Sequence, residues 1–496
     1  MTITNVTHKE QINKAMDALE TSKKNVVNAQ YRLNYHFMAP VNWMNDPNGL
    51  IQHNGTYHMF YQHHPYSVNW GPMHWGHAVS TDLINWKHEE IALAPSESYD
   101  FQQGNEDIGC FSGSAVSVGE EIALIYTGHV IGKSPKEVQA VAFSKDGLNF
   151  RKSEKNPVIL PPAGVSKDFR DPKVWKKGDT WYMVIGSSID GNGAVPLFKS
   201  ENLLQWSYMG PALTGDGTQG DMWECPDLFP IGNKHLLIVS PMNMDNGKNI
   251  IMAGEMDYEN GRFTPESVKE IDEGDDFYAA QTFVDEKGRR ILIAWMDTWQ
   301  TDFPTKSEGW AGAMTIPREI ILENGEVKFL PVDELKNLRE ELTTYKKIKL
   351  SPNETVDINT QNTFKDSYEM KVTIDLRNTG KTGSAGLYLR ISADGKAKAK
   401  VYYDINEQEL VVDTTLAGGK TNPTVSRAKV ENPGDCLTLR LFMDTCSLEV
   451  LTDDGRTWIT SRIYPSKEST GIYTFTENAY AIFKDINMWT LRKVID

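Results

Sequence analysis

Residues 45–52 read NDPNGLIQ, followed by TYHMFYQ at 56–62 and STDLINW at 80–86. The first run is turn chemistry entering a strand: Pro fixes φ, Gly permits φ > 0, and short polar side chains bond their own backbone. The second is aromatic and strand-forming, and the third is a polar turn closed by a large ring. The same succession returns along the chain. NDPNGLIQ is matched by FSGSAVSV, RDPKVWKK, ECPDLFPI and AAQTFVDE, with starts at 45, 111, 170, 224 and 279, spaced 66, 59, 54 and 55 residues apart. Aromatic or aliphatic runs follow at 122–128, 180–187, 235–240 and 290–296. The closing marker recurs as SKDGLNF, SENLLQW and MDYENGRF, ending at 86, 150, 206 and 263 at intervals of 64, 56 and 57. Two interleaved patterns of one period predict radially repeated units.

Five such units of four strands predict an all-β fold, a five-bladed β-propeller over residues 31–335. Equivalent positions of successive blades then surround one central cavity, so Asp46, Asp171 and Glu224 should converge there. After PVDELKNLRE (331–340) the marker disappears. Alternating strands and tight turns such as Asp453-Asp454-Gly455 predict a β-sandwich domain over 345–496, a packing domain without a catalytic constellation of its own. Residues 1–30 are expected as a short N-terminal helical segment. Its helix spans 7–28, from the capping-box spacing of Thr7 and Glu10 and the apolar Ile12, Ala15, Met16 and Leu19. Lying on its own propeller is the simplest use of that stripe.

Composition narrows the functional classes. Over 496 residues the net charge is −16, against the basic stripe that a nucleic-acid partner requires. No apolar run approaches membrane-spanning length, and the N-terminus lacks the charged-then-apolar order of a signal peptide. The four cysteines form no CxxC or disulfide framework. A cytoplasmic enzyme with free thiols, no membrane and no nucleic-acid partner is expected, as a monomer or homo-oligomer.

Three carboxylates around an aromatic-lined mouth suit glycoside hydrolysis, which needs a protonated acid at the leaving oxygen and a carboxylate that attacks or activates water. Crowding lets one member stay protonated near neutrality. Any one of the three alone is more often a capped turn; at equivalent positions of the repeat they reinforce one another. Other features point elsewhere less well. Seven histidines lie between His53 and His88, but no zinc-ligand signature appears, so neither metal nor other cofactor is expected. Cys225, beside Glu224, reads as a small packing residue, since no partnering base is visible.

WMNDPNG (43–49), FYQHHP (60–65), WGPMHWGHAVSTDLINW (70–86), FSGSA (111–115), RDPKVW (170–175), ECPDLF (224–229) and DFYAAQTF (276–283) occur in one order that resembles the β-fructofuranosidases of glycoside hydrolase family 32. That family includes invertases, sucrose-6-phosphate hydrolases and fructan hydrolases. The likeness runs from about Tyr31 to Arg318 and continues more weakly through DTCSLEV at 444–450. It implies a retaining hydrolase that releases fructose from sucrose, sucrose 6-phosphate or short β-fructosides. Asp46 would be the nucleophile, Glu224 the acid/base, and Asp171 the stabiliser of the transition state. Trp43, Asn45, Gln62, Trp70, Phe111, Ser112, Arg170 and Trp295 would be pocket residues around a small sugar. A fructosyltransferase would use the same carboxylates, and a non-catalytic sugar-binding propeller would not need them.

Overall fold

The computed structural model describes residues 7–24, 26, 29–244, 248–377, 379–420, 423–431 and 433–494. Up to Pro331 the chain forms five sheets in sequence. Blade I comprises Asn42–His53, Thr56–His64, His74–Ser80 and Trp86–His88; blade II comprises Ile108–Val118, Glu121–Val130, Glu137–Ser144 and Arg151–Lys152. Blade III runs through Phe169–Lys177, Thr180–Ile189, Asn192–Ser200 and Ser207–Thr214. Blade IV uses Met222–Ile231, Lys234–Met242, Ile250–Asp257 and Arg262–Glu270, and blade V uses Tyr278–Val284, Arg290–Trp295, Arg318–Glu323 and Glu326–Pro331. The first strands of successive blades touch in order, and blade V touches blade I, so the ring closes. Trp310 and Ala311, from the connection within blade V, seal it by pairing in parallel with Asn42 and Trp43. The expected five-bladed propeller is present.

The repeated marker has a physical cause. It is the turn between the third and fourth strands, and an Asp or Asn side chain caps it. Asp82 Oδ1 accepts from the backbone N–H of Ile84 and Asn85, and Asp146 Oδ1 does the same for Leu148 and Asn149. Asn202 and Asp257 repeat the arrangement in blades III and IV. The closing ring is part of the device, since the Trp86 and Trp206 indoles donate to the carbonyls of Leu83 and Leu203.

Two six-stranded antiparallel sheets form the sandwich. Its first strand, Arg339–Leu350, opens ahead of residue 345 because it pairs along its length with Ala481–Leu491. The N-terminal helix runs His8–Lys23 with a complete Thr7–Glu10 capping box. It stops short of 28, where residues 25, 27 and 28 lie outside the described set. Ile12, Ala15 and Leu19 pack on Val41, Ile91 and Ala94 of the propeller, as the apolar stripe required.

Propeller and sandwich share one apolar core, in which Phe442, Leu451, Trp458 and Tyr464 join the buried side chains of blades I and V. Buried ions cross the same boundary. Arg318 donates to Asp272 at 2.8 Å and to Glu449 at 2.6 Å, with its guanidinium 3.8 Å from the Trp458 ring centre. His36 lies between Asp444 at 2.9 Å and Glu449 at 3.0 Å. Despite burial, Arg318 and His36 hold Glu449 below the usual carboxylate range. Removing one partner of such a cluster strands the other charges in a dry interior. Arg318→Leu is therefore expected to cost about 3–5 kcal/mol. The readout is the urea midpoint of unfolding; a loss under about 1 kcal/mol, the worth of an exposed pair, would refute the clamp.

Candidate active site

Each inner strand breaks its ladder at the same place. Register shifts leave Asn45 and Asp46 bulged in blade I, Ser112 in blade II, Asp171 and Pro172 in blade III, Cys225 and Pro226 in blade IV, and Ala279 and Ala280 in blade V. A bulge turns a side chain out of the pleat and frees its backbone from pairing. Asp171, Cys225 and Ala279 accordingly take positive φ of 64°, 48° and 54°. Such backbone costs about 1–3 kcal/mol per residue and persists only where its surroundings hold it. Here the neighbouring blade does so: the Asp171 N–H donates to Thr127 Oγ1, and the Cys225 N–H donates to Asp171 Oδ2, each at 3.0 Å.

The bulges face a cavity of about 300 Å³. Asp46 sits at its base, buried. Ser112 Oγ donates to Asp46 Oδ2 at 2.5 Å, Asn45 Nδ2 donates to Oδ1 at 2.9 Å, and the Trp43 indole fixes Asn45 at 2.8 Å. Glu224 Oε1 accepts from Arg170 Nε at 2.9 Å, and Oε2 accepts from the Tyr278 hydroxyl at 2.5 Å. Asp171 lines the same cavity, and Cys225 Sγ approaches both aspartates at 3.6–3.7 Å. Burial raises Asp46, against its bonds to Ser112 and Asn45. Burial first, then the charge of Glu224, pushes Asp171 up to about 8 against the pull of Arg170. Three carboxylates this close do not all ionise near neutrality, so the cluster retains a proton to give. The Cys225 thiol, raised by burial and by Asp171, stays protonated and is no nucleophile.

Of the expected residues, Asn45, Asp46, Gln62, Trp70, Phe111, Ser112, Arg170, Asp171 and Glu224 line the cavity together. Trp43 and Trp295 do not. Both are buried behind it, their rings 5.9 Å apart, in a stack that includes Trp299 and Phe303. They back the wall because Trp299, from the loop after blade V's second strand, takes the exposed place at 47% accessibility. Asp107, His129, Lys136, Glu137, Asp168 and Met242 also line the cavity and carry no repeated signal in the sequence. Tyr278 lay within DFYAAQTF, one residue before the blade V bulge, and its contact with Glu224 is what singles it out. Cys225 does more than pack, since its N–H anchors Asp171.

The clustered histidines are structural. His63, His64 and His74 each bond a nearby backbone carbonyl through Nδ1, and burial holds all three below the ordinary range. Among the described residues no group of three His, Cys, Asp or Glu side chains is arranged to hold a metal ion. Nor is any described helix long and apolar enough to cross a membrane. A larger cleft of about 530 Å³ separates blades IV and V from the sandwich, but the one aromatic among the described residues that line it, Trp458, is buried.

Comparison with known proteins agrees with this geometry. The model described as "Glycosyl hydrolases family 32 N-terminal domain" matches residues 36–331, and "Glycosyl hydrolases family 32 C terminal" matches 334–490. A sucrose-6-phosphate hydrolase of Escherichia coli is 40% identical over 480 residues, covering 92% of this chain and 94% of its own. A raffinose invertase of the same organism is 37% identical, covering 97% of this chain and 100% of its own. Among solved structures, the Bombyx mori GH32 beta-fructofuranosidase BmSUC1 superposes with a TM-score of 0.84 at 32% identity, covering 99% of this chain and 100% of that one. The matches span both domains and nearly the whole chain, and the chain belongs to glycosyl hydrolase family 32.

Proposed function

We infer that the protein is a retaining β-fructofuranosidase. It hydrolyses sucrose and related β-fructosides, with Asp46, Asp171 and Glu224 as its catalytic residues. The observation that supports this most is the placement of those three carboxylates at or beside ladder-breaking bulges around one cavity, in a chain matched by both family 32 domains. The Asp46 carboxylate attacks the anomeric carbon of the fructosyl unit while Glu224 delivers a proton to the departing oxygen. A covalent fructosyl ester forms on Asp46 and the leaving sugar departs as the alcohol. Glu224, now ionised, takes a proton from water, which attacks the same carbon and restores Asp46. Two inversions give net retention.

The surrounding residues fit these roles. Ser112 and Asn45 orient Asp46 by donating to it, favouring the charged form that attacks. Arg170 and Tyr278 fix the Glu224 carboxyl at the cavity wall. Asp171 accepts hydrogen bonds from hydroxyls of the fructosyl ring as positive charge develops there. Trp70, Phe111 and Trp299 offer apolar ring faces to the sugars. Four unpaired cysteines, three of them buried, fit work in the reducing cytoplasm.

Proton NMR of sucrose hydrolysis tests the mechanism. The first fructose released is expected as the β-furanose, ahead of mutarotation and with an equal amount of glucose. Initial release of the α-furanose would refute double displacement at Asp46, and oligosaccharides in place of free fructose would make transfer the main reaction.

A further inference from the structure

We propose that the cavity mouth selects uncharged fructosides, with Asp107 and Asp168 disfavouring a leaving group that carries a phosphate; this rests on the β-fructofuranosidase reading. Among the described residues, six carboxylates line the cavity against three basic side chains, Arg170, Lys136 and His129. Every one of the three is already engaged. Arg170 Nη2 lies 2.8 Å from Glu224 Oε1, and its Nη1 lies 3.4–3.5 Å from Glu137 and Asp168. Lys136 Nζ lies 2.5 Å from Asp168 and 3.7 Å from Glu137. His129 bridges Asp107 at 3.0 Å and Glu137 at 3.1 Å.

These contacts make one continuous chain from Glu224 outward. Its exposed members are Asp168 at 36% and Asp107 at 43%, held at the mouth by the buried Glu137 and His129. A sugar protonated at its bridging oxygen by Glu224 leaves past this wall. A phosphate monoester brings up to two negative charges and needs a free cation or guanidinium fork. To supply one, Lys136 must release Asp168 and leave that carboxylate facing the phosphate. An uncharged sugar needs no such exchange. The second carboxylate oxygens of Asp107 and Asp168 accept from hydroxyls, and the exposed Trp299 ring packs against an apolar sugar face. Selectivity here comes from the repulsive element more than from a new attractive one.

The test is a comparison of kcat/KM for sucrose and sucrose 6-phosphate with the purified full-length enzyme, at low and high salt. Sucrose is expected to be favoured by about tenfold or more, with the ratio narrowing as salt screens the exposed mouth. In Asp107→Asn/Asp168→Asn the ratio is expected to fall at least about threefold, through a lower KM for the phosphorylated sugar. Asp107→Asn alone keeps an acceptor for His129 and carries the same test if the double variant does not fold. Equal or better turnover of sucrose 6-phosphate by the parent, or a ratio unmoved in the folded variants, would overturn the proposal. Failure to cleave sucrose, sucrose 6-phosphate and 1-kestose alike would instead overturn the β-fructofuranosidase reading beneath it.

Discussion

Asp46→Asn is expected to give a folded enzyme whose kcat on sucrose has fallen on the order of 10⁴-fold or more. The amide is isosteric and keeps partners for Asn45 and Ser112, so the blade I bulge survives, but it cannot form the fructosyl ester. Stability should move the other way. Burial raises Asp46 in the folded state, so its ionisation opposes folding once the pH exceeds the carboxylate's unfolded value. Replacing it with a neutral group removes that cost. The variant should therefore melt above the parent at pH 7, with the gap closing as the pH falls toward the unfolded carboxylate's value. Residual activity above about 1% of the parent would point to another nucleophile. Inactivity with a lower melting temperature at pH 7 would mean that Asp46 serves the fold.

Glu224→Gln should divide substrates by their need for a proton. General acid catalysis contributes about 10²–10⁴-fold, and sucrose, with a poor leaving group, should lose that much in kcat/KM. A fructoside carrying an acidic phenol leaves without help, so its kcat/KM should fall far less. Its slow second step should then respond to azide, a nucleophile that needs no base, with fructosyl azide as product. Equal losses on both substrates would assign Glu224 to binding and leave the acid to be found elsewhere in the cluster. Asp171 is the nearest alternative, because burial and Glu224 already push it up to about 8.

Most of the architecture was legible because the repeat has a local cause. An Asp or Asn capping each outer turn needs only a few consecutive residues, so the marker survives wherever that turn is made, as at Asp82, Asp146, Asn202 and Asp257. It is missing from blade V, whose third and fourth strands are joined by the tight turn Asn324-Gly325. The three carboxylates were visible for a similar reason: each lies at or beside a bulge within a contiguous motif. What stayed hidden depends on contacts between blades. Lys136, Glu137 and Asp168 become neighbours only when blades II and III pack, and nothing in their own stretches marks them. Trp43 and Trp295 show the converse. Both belong to motifs beside the site, yet Trp299, from an irregular loop, covers them. The helix end at Lys23 was likewise misjudged, because apolar periodicity does not reveal where packing against blade I stops.

The seam at Trp310 and Ala311 bears on how the enzyme comes into being. Asn42 and Trp43, which they clasp, lead directly into Asn45 and Asp46. The strand that carries Asp46 is thus made among the first and secured among the last. During synthesis the ring stays open until residue 311 has left the ribosome, because Asn42 and Trp43 lack their pairing partners until then. Hydrolytic competence arrives in one late step rather than accumulating blade by blade, and a growing chain offers sugars no half-built catalyst.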